Sequence, residues 1–354
     1  TMFNTVSLDG ANEDGTFHLG YTKLNQSGIL PNSEINRDNV DFGATYKLTE
    51  KLTAQANVSY IKTSGKGRYG TGYDGGNPMM TFRQWWQTNV DVKQQKETYF
   101  QTRTNTAWNT SYINQDLSPI YHDNPYWLRY EEYQTDVRNR VFGNMSLTYD
   151  VNDWFSVMAR ATMDVYSGNQ EERINKTSNP VSKYSLYEQS FSENNFDLML
   201  NFNKDWGKLN LRAVLGTNIL RQSYSSMLAS TNGGLNVARL YSLANSVNPI
   251  NAPGQYSYDM GVDGYYANAS LGWNNTFFVE GSYRMDIAST LPQDNNKYDY
   301  YGVSGSFLFS SLIKSNWLSL GKLRIGYAKT GQAARPLSLY NTYDLNTPIG
   351  GQGS

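Results

Sequence analysis

The feature that most constrains this chain is a two-residue period held over long stretches, with one parity almost free of charge. In "FFVEGSYRMDIAS" (277–289), Phe277, Val279, Gly281, Tyr283, Met285 and Ile287 take one parity, while Phe278, Glu280, Ser282, Arg284 and Asp286 take the other. A strand sends successive side chains to opposite faces, so such a segment is one half of a two-faced sheet. The charged face meets either bulk solvent on a soluble sandwich or the lumen of a membrane barrel.

The same division recurs. Leu209, Leu211, Ala213 and Leu215 oppose Lys208, Asn210, Arg212 and Asn218. Phe196, Leu198, Leu200 and Phe202 oppose Asp197, Asn201 and Asn203. Phe155, Val157, Ala159, Ala161, Met163 and Val165 oppose Arg160, Thr162 and Asp164. A clean face has an energetic reason in a bilayer, where a lipid-facing Arg or Lys at the midplane costs roughly 2–4 kcal/mol.

Reading for this period predicts about twelve strands, near residues 2–9, 16–24, 36–48, 52–64, 137–150, 153–167, 187–204, 208–222, 264–273, 276–288, 299–311 and 318–331. No amphipathic helix competes with them. Tight polar turns fall at "LTEK" (48–51), "DVND" (150–153), "DWGK" (205–208) and "NN" (274–275), and long connections at 25–35, 65–136, 168–186, 223–263 and 289–298. Short and long alternate, as they do when every tight turn lies at one rim of an up-and-down sheet. Outer-membrane barrels have this asymmetry, with short periplasmic turns and long extracellular loops. A Greek-key sandwich scatters its long connections over both ends. Trp154, Trp206, Trp273 and Trp317 sit beside the short turns, where an interfacial aromatic girdle belongs.

Composition agrees. Aromatics make up 14% of the 354 residues, led by 28 Tyr, charged residues only 17%, and mean hydropathy is −0.61. Soluble proteins carry about 25% charged residues. A barrel is polar on average because only alternate residues meet lipid, and no apolar run reaches the roughly 20 residues of a spanning helix. A net charge of −1 and a pI near 6.1, without a Lys/Arg block, argue against nucleic acid. The chain opens on "TMFNTVSLDG" and ends on the Gly-rich "TPIGGQGS", and both ends read as cut edges.

Particular segments resemble the SusC/RagA family of TonB-dependent outer-membrane transporters. These are "GILPNSEINRDNV" (28–40), "DNPYWLRYEEYQTDVRNRVFGNMSLTYDVNDWFSV" (123–157), "YRMDIASTLPQDNNKYDYYGVSGSF" and "GKLRIGYAKTGQ", spread over almost the whole chain. The family pattern is departed from at Ile287 and Ala288, where Gly and Ser usually follow "YRMD", and at Gln332, often Asn. The resemblance implies an all-β antiparallel barrel of about 22 strands closed around a plug domain absent from this chain, so that residues 1–354 form part of the barrel. It also implies an importer without enzymatic activity in the cell outer membrane, with a SusD-like surface lipoprotein as lid, the TonB-ExbB-ExbD complex pulling on the plug, and the lipid bilayer as solvent.

Within that frame the 65–136 insertion is the most function-like segment, because loops of this length are usually functional or disordered and its aromatic content opposes disorder. It offers Arg83, Trp85, Trp86, Trp108, Asp123, Tyr126 and Trp127 as candidates for binding an oligosaccharide or peptide substrate. An equal alternative is that these aromatics pack the loop against the barrel mouth or a partner. Asn210, Arg212, Glu280, Arg284 and Asp286 are candidate lumen-facing polar residues.

Other chemistry has little in the sequence to carry it. "DGANEDG" (9–15) and "DNNKYD" (294–299) lack the EF-hand pattern and read as Asx-rich turns. With zero Cys and two distant histidines, His18 and His122, neither a transition-metal site nor a cofactor is expected. No nucleophile elbow is present, Glu280 and Asp286 read as a charge ladder with Arg284 rather than a glycosidase pair, and "GKGRYGTGYDGG" leads into a loop without a phosphate-binding helix. A passive porin, an outer-membrane enzyme and a surface adhesin remain the alternatives to an importer.

Overall fold

The computed structural model describes residues 1–68, 70–112, 115–313 and 317–342. The C-terminal "TPIGGQGS", read above as a cut edge, lies outside the described residues. The chain opens with β1 (Met2–Ala11), β2 (Gly15–Ser27), β3 (Glu34–Lys47) and β4 (Leu52–Lys66). A long insertion follows with α1 (Pro78–Gln84), α2 (Val92–Thr102), the paired β5 (Thr110–Tyr112) and β6 (Asp116–Pro119), and α3 (Pro125–Glu131). Next come β7 (Gln134–Asn152), β8 (Phe155–Ile174), β9 (Lys183–Trp206) and β10 (Leu209–Ser230). A small pair, β11 (Asn232–Leu235) and β12 (Ser246–Asn248), precedes β13 (Gly254–Trp273), β14 (Phe277–Ala288), β15 (Lys297–Phe307) and β16 (Leu323–Lys329).

Twelve of these strands form one antiparallel sheet in chain order, β1-β2-β3-β4-β7-β8-β9-β10-β13-β14-β15-β16. No ladder joins β1 to β16 among the described residues. Three of the four tight turns fall within their polar clusters, whereas β7 runs through most of "DVND" to Asn152 and turns into β8 at Asp153 and Trp154. At "NN" both Asn274 and Asn275 have φ of 52°, the left-handed pair that lets a short hairpin follow the strand twist.

Most expected strands extend further than their periodicity. β8 runs to Ile174, β10 to Ser230, and β13 begins at Gly254, so the connection expected at 223–263 shrinks to 231–253 and that at 168–186 to 175–182. β9, with 24 residues, is about 80 Å long, far beyond an apolar band of about 25 Å. Past that band the parity that was apolar turns largely polar, and on β13 the apolar residues pass to the other parity at Tyr256, Tyr258, Met260 and Val262. The last three strands are shorter than their expected spans, β14 by one residue, β15 ending at Phe307 rather than near 311, and β16 reduced to Leu323–Lys329.

Register aligns the apolar parities of all twelve strands. On β10 the apolar face runs from Leu209 to Ile219, about 34 Å along a strand, or about 26 Å of height at a 40° tilt. Its lower border is aromatic: Trp206, Trp273, Phe277 and Phe307 follow one another across β9, β13, β14 and β15, with Phe277 and Phe307 stacked at 4.5 Å. Trp154 stacks on Phe202 at 6.3 Å nearby. The upper border is tyrosine. Each hydroxyl reaches past the band to a polar side chain on the next strand: Tyr21 to Asp38 (2.6 Å), Tyr60 to Asn139 (3.1 Å) and Tyr283 to Asp299 (2.6 Å). An amphipathic ring with its polar tip outward is what a membrane interface selects.

The opposite face is polar and more shielded. Asp197 is 9% exposed while its apolar neighbour Phe196 is 53% exposed.

Candidate functional site

The polar face carries all five wall candidates. Arg212 lies opposite Ser270, which lies opposite Glu280, while Arg284 and Asp286 lie opposite Tyr266 and Gly264. Arg284 Nε donates to Asp286 Oδ1 at 2.7 Å, and Asn210 donates to Asp205. Gly264 makes room for the ion pair, since a Cβ there would stand 2.5 Å from Arg284 Nη2 and 2.6 Å from Asp286 Oδ1. Similar pairs continue along the wall, Arg160 with Asp197 at 3.0 Å and Arg140 with Asp164 at 2.7 Å. Asp286 is thus held by a guanidinium on its own strand, the arrangement of a charge ladder rather than of a catalytic carboxyl.

His18 contacts Asp9 at 2.6 Å, and Asn12 Oδ1 accepts from the backbone N–H groups of Asp14 and Gly15, an Asx turn within "DGANEDG". Among the described residues no group of three His, Cys, Asp or Glu is placed to hold a metal ion.

The long insertion is a small folded unit. Its three helices, absent from the sequence reading, are capped by Asn77, Asp91 and Asn124, each accepting from a backbone N–H two residues on. In two of them the cap precedes a proline at the first helical position, so "NP" at 77–78 and 124–125 was the signal that could have found them. Short length and weak amphipathicity hid them from periodicity.

This unit divides the loop candidates. Trp127 is 2% exposed, edge-on to Tyr99 at 6.3 Å, with Nε1 donating to Ser178 Oγ at 2.8 Å. Asp123 is buried and accepts from Asn105 Nδ2 at 2.6 Å and Asn179 N at 2.8 Å. Both therefore serve the interior of the insertion and tie it to the connection between β8 and β9. Their burial corrects the expectation that they face a ligand.

Trp85, Trp86 and Trp108 gather around His122. Its ring stacks on Trp85 at 6.0 Å and on Trp108 at 6.5 Å, while Trp86 meets Trp108 edge-on at 5.8 Å. Burial lowers the His122 pKa, more than the nearby Asp123 raises it. Trp85 is 46% exposed and Arg83 is exposed beside it. Tyr126 lies apart on α3, half-buried against Phe100 at 6.2 Å. An open cluster of this kind can cover apolar ligand surface with its rings while Arg83 and Gln84 meet polar groups.

Comparison with known proteins places the architecture. No protein-family model matches the sequence, and no curated protein matches it. Among solved structures, a chain of the RagAB peptide transporter superimposes with a TM-score of 0.78 at 15% identity, over 99% of this chain. The twelve-stranded sheet has the fold of part of that transporter chain. The ferric-catecholate import receptor Fiu of E. coli K12 gives 0.54 at 10% identity over 92% of this chain and 52% of its own, and the ferric citrate transporter FecA 0.51 at 8% over 86% and 39%. The chain spans 39% of the length of the matched RagAB chain.

Proposed function

We propose that this chain forms part of the wall of an outer-membrane importer of the SusC/RagA type. The observation that carries the reading is a continuous twelve-stranded sheet with an apolar outer face between two aromatic borders and a charge-paired inner face. Such a wall is solvated by lipid on one side and encloses a polar conduit on the other. The likeness to the RagAB peptide transporter supports the same assignment.

In this reading the tight turns are periplasmic and the insertion stands at the extracellular mouth. Trp85, Trp86 and Trp108, with Arg83 beside them and Tyr126 apart on α3, take part in capturing a glycan or peptide oligomer. A SusD-like surface lipoprotein closes over the mouth, and the TonB-ExbB-ExbD complex supplies energy through a plug. Asn210, Arg212, Glu280, Arg284 and Asp286 line the lumen. The substrate passes through without any bond being broken.

The test is a scan of single cysteines on this Cys-free chain, within its full-length parent in outer membranes, using a charged aqueous thiol reagent. Asn210, Arg212, Ser282 and Arg284 are expected to label, while Leu209, Leu211, Val279 and Met285 stay protected. Protection of both sets, or partition of the protein as soluble, overturns the reading.

A further inference from the structure

High on the polar face, register assembles a row that no segment of the sequence displays. Arg140, Tyr166, Phe191, Tyr224 and Tyr258 are successive partners across β7, β8, β9, β10 and β13. Tyr166 stacks on Phe191 at 5.0 Å and Tyr224 on Tyr258 at 5.6 Å, and the Tyr187 and Tyr224 hydroxyls meet at 2.8 Å. The row climbs relative to the tyrosine border. Tyr166 is next to Val165, the last apolar residue on the apolar parity of its strand, whereas Tyr258 lies seven residues beyond Tyr265 toward the open end.

At its foot stand two arginines without a carboxylate. Arg37, Thr63 and Arg138 are in register across β3, β4 and β7, so the two arginines straddle Thr63 with Cα atoms about 10 Å apart. Both are exposed, and neither forms an ion pair among the described residues. The carboxylates nearest along the wall are engaged elsewhere, Asp136 with Arg68 at 3.3 Å and Asp164 with Arg140. Arg138 lays its guanidinium 3.9 Å from the Tyr166 ring centroid, which joins the cationic foot to the aromatic row.

We propose that this row is a binding track for an extended peptide whose terminal carboxylate is held by Arg37 and Arg138. The inference rests on the importer reading above and names a subsite within that conduit. Planar guanidinium groups suit a carboxylate, and a tyrosine-rich wall offers rigid amphipathic surface at low entropy cost. The choice of peptide over neutral sugar follows from the charge at the foot. Two exposed guanidinium groups without a carboxylate call for an anion, which a peptide terminus carries and a neutral sugar does not. In the row itself each stacked pair closes one face of both its rings, and Arg138 lies over Tyr166 as well, which leaves less open ring face for a sugar.

The experiment measures binding to the full-length parent in detergent, using a radiolabelled Gly-Leu-Phe-Leu-Ala pentapeptide as free acid and as C-terminal amide, with maltohexaose as a neutral saccharide. The free acid is expected to bind about tenfold tighter than the amide, with a margin that shrinks as salt rises. The double variant Arg37→Gln, Arg138→Gln is expected to bind both forms alike, and Phe191→Ala with Tyr224→Ala to weaken both about tenfold. Equal binding of acid and amide to the unaltered protein, no peptide binding, or equal affinity for maltohexaose overturns the proposal. That comparison needs no variant to fold. Equal binding with the cysteine-labelling pattern intact removes the subsite and leaves the importer, whereas protection of Asn210 and Arg284 removes both.

Discussion

The Glu132 carboxyl lies buried against the Asp123 carboxylate, with no nitrogen or hydroxyl donor on its Oε1. The Glu132 carboxyl therefore holds its proton more tightly than a solvated one. Desolvation first, then the charge and hydrogen bond of Asp123, raise the Glu132 pKa well above 4.5. The residue ends α3 just before β7, where the insertion joins the sheet.

That proton makes the insertion sensitive to alkali. The folded segment keeps it at pH values where the unfolded segment has lost it. Stability contributed here is full below pH 4.5 and falls as pH rises toward the raised value, by up to about 1.4 kcal/mol per unit. Hydrogen exchange across 95–132, corrected for intrinsic pH dependence, should quicken as pH rises above 4.5. Glu132→Gln should flatten that slope, and a slope unchanged in the variant would place its source elsewhere.

Trp127 and Trp85 belong to one insertion but to different tasks. Trp127→Ala empties a site packed on all sides and leaves Ser178 without its donor, which should cost about 3–5 kcal/mol and expose the insertion to protease. Trp85→Ala removes an exposed ring and should leave protease resistance unchanged while weakening ligand capture. Comparable protease sensitivity in the two variants would deny the division.

How much of this was legible in the sequence depends on what decides each feature. The turns at 48–51 and 274–275 and the paired faces of β9 and β10 follow from local chemistry. Residues 254–263 joined β13 with the apolar residues on the other parity, Tyr256, Tyr258, Met260 and Val262 against Gln255, Ser257, Asp259 and Asp263, so the stripe read from Tyr265 to Trp273 changes faces within one strand and its period breaks. Trp127 and Trp85 look alike in a sequence, since burial is set by the fold of α1, α2 and α3. The row from Arg138 to Tyr258 needs the register of five strands, which no local pattern contains.

Glycine marks where two strands approach most closely. A Cβ on Gly143 would stand 2.2 Å from the backbone oxygen of Asn57, whereas one on Gly281 would meet nothing within 4 Å. Gly143→Ala must therefore push β4 away from β7, while Gly281→Ala is free to gain from lower unfolded-state entropy. The folded fraction, read by heat-modifiable gel mobility, should fall for the first and hold or rise for the second. Equal loss in both would mean that the β4–β7 contact is looser than this.

Neighbouring residues at one depth separate the two faces most directly. Leu215 lies mid-band on the apolar face of β10 between Leu200 and Ala267, and Val214 lies beside it on the polar face between Asn201 and Asn268. Arginine at 215 must enter hydrocarbon near the midplane, at about 2–4 kcal/mol. Arginine at 214 enters a wall that already holds Arg212 and Arg160, where water and carboxylates receive it. Urea titration of the full-length parent in phospholipid vesicles should show Leu215→Arg lowering the midpoint sharply and Val214→Arg leaving it within about 0.5 kcal/mol of the unaltered protein. The reverse order would turn the sheet inside out, putting the charge ladder toward lipid and removing the physical basis of the conduit.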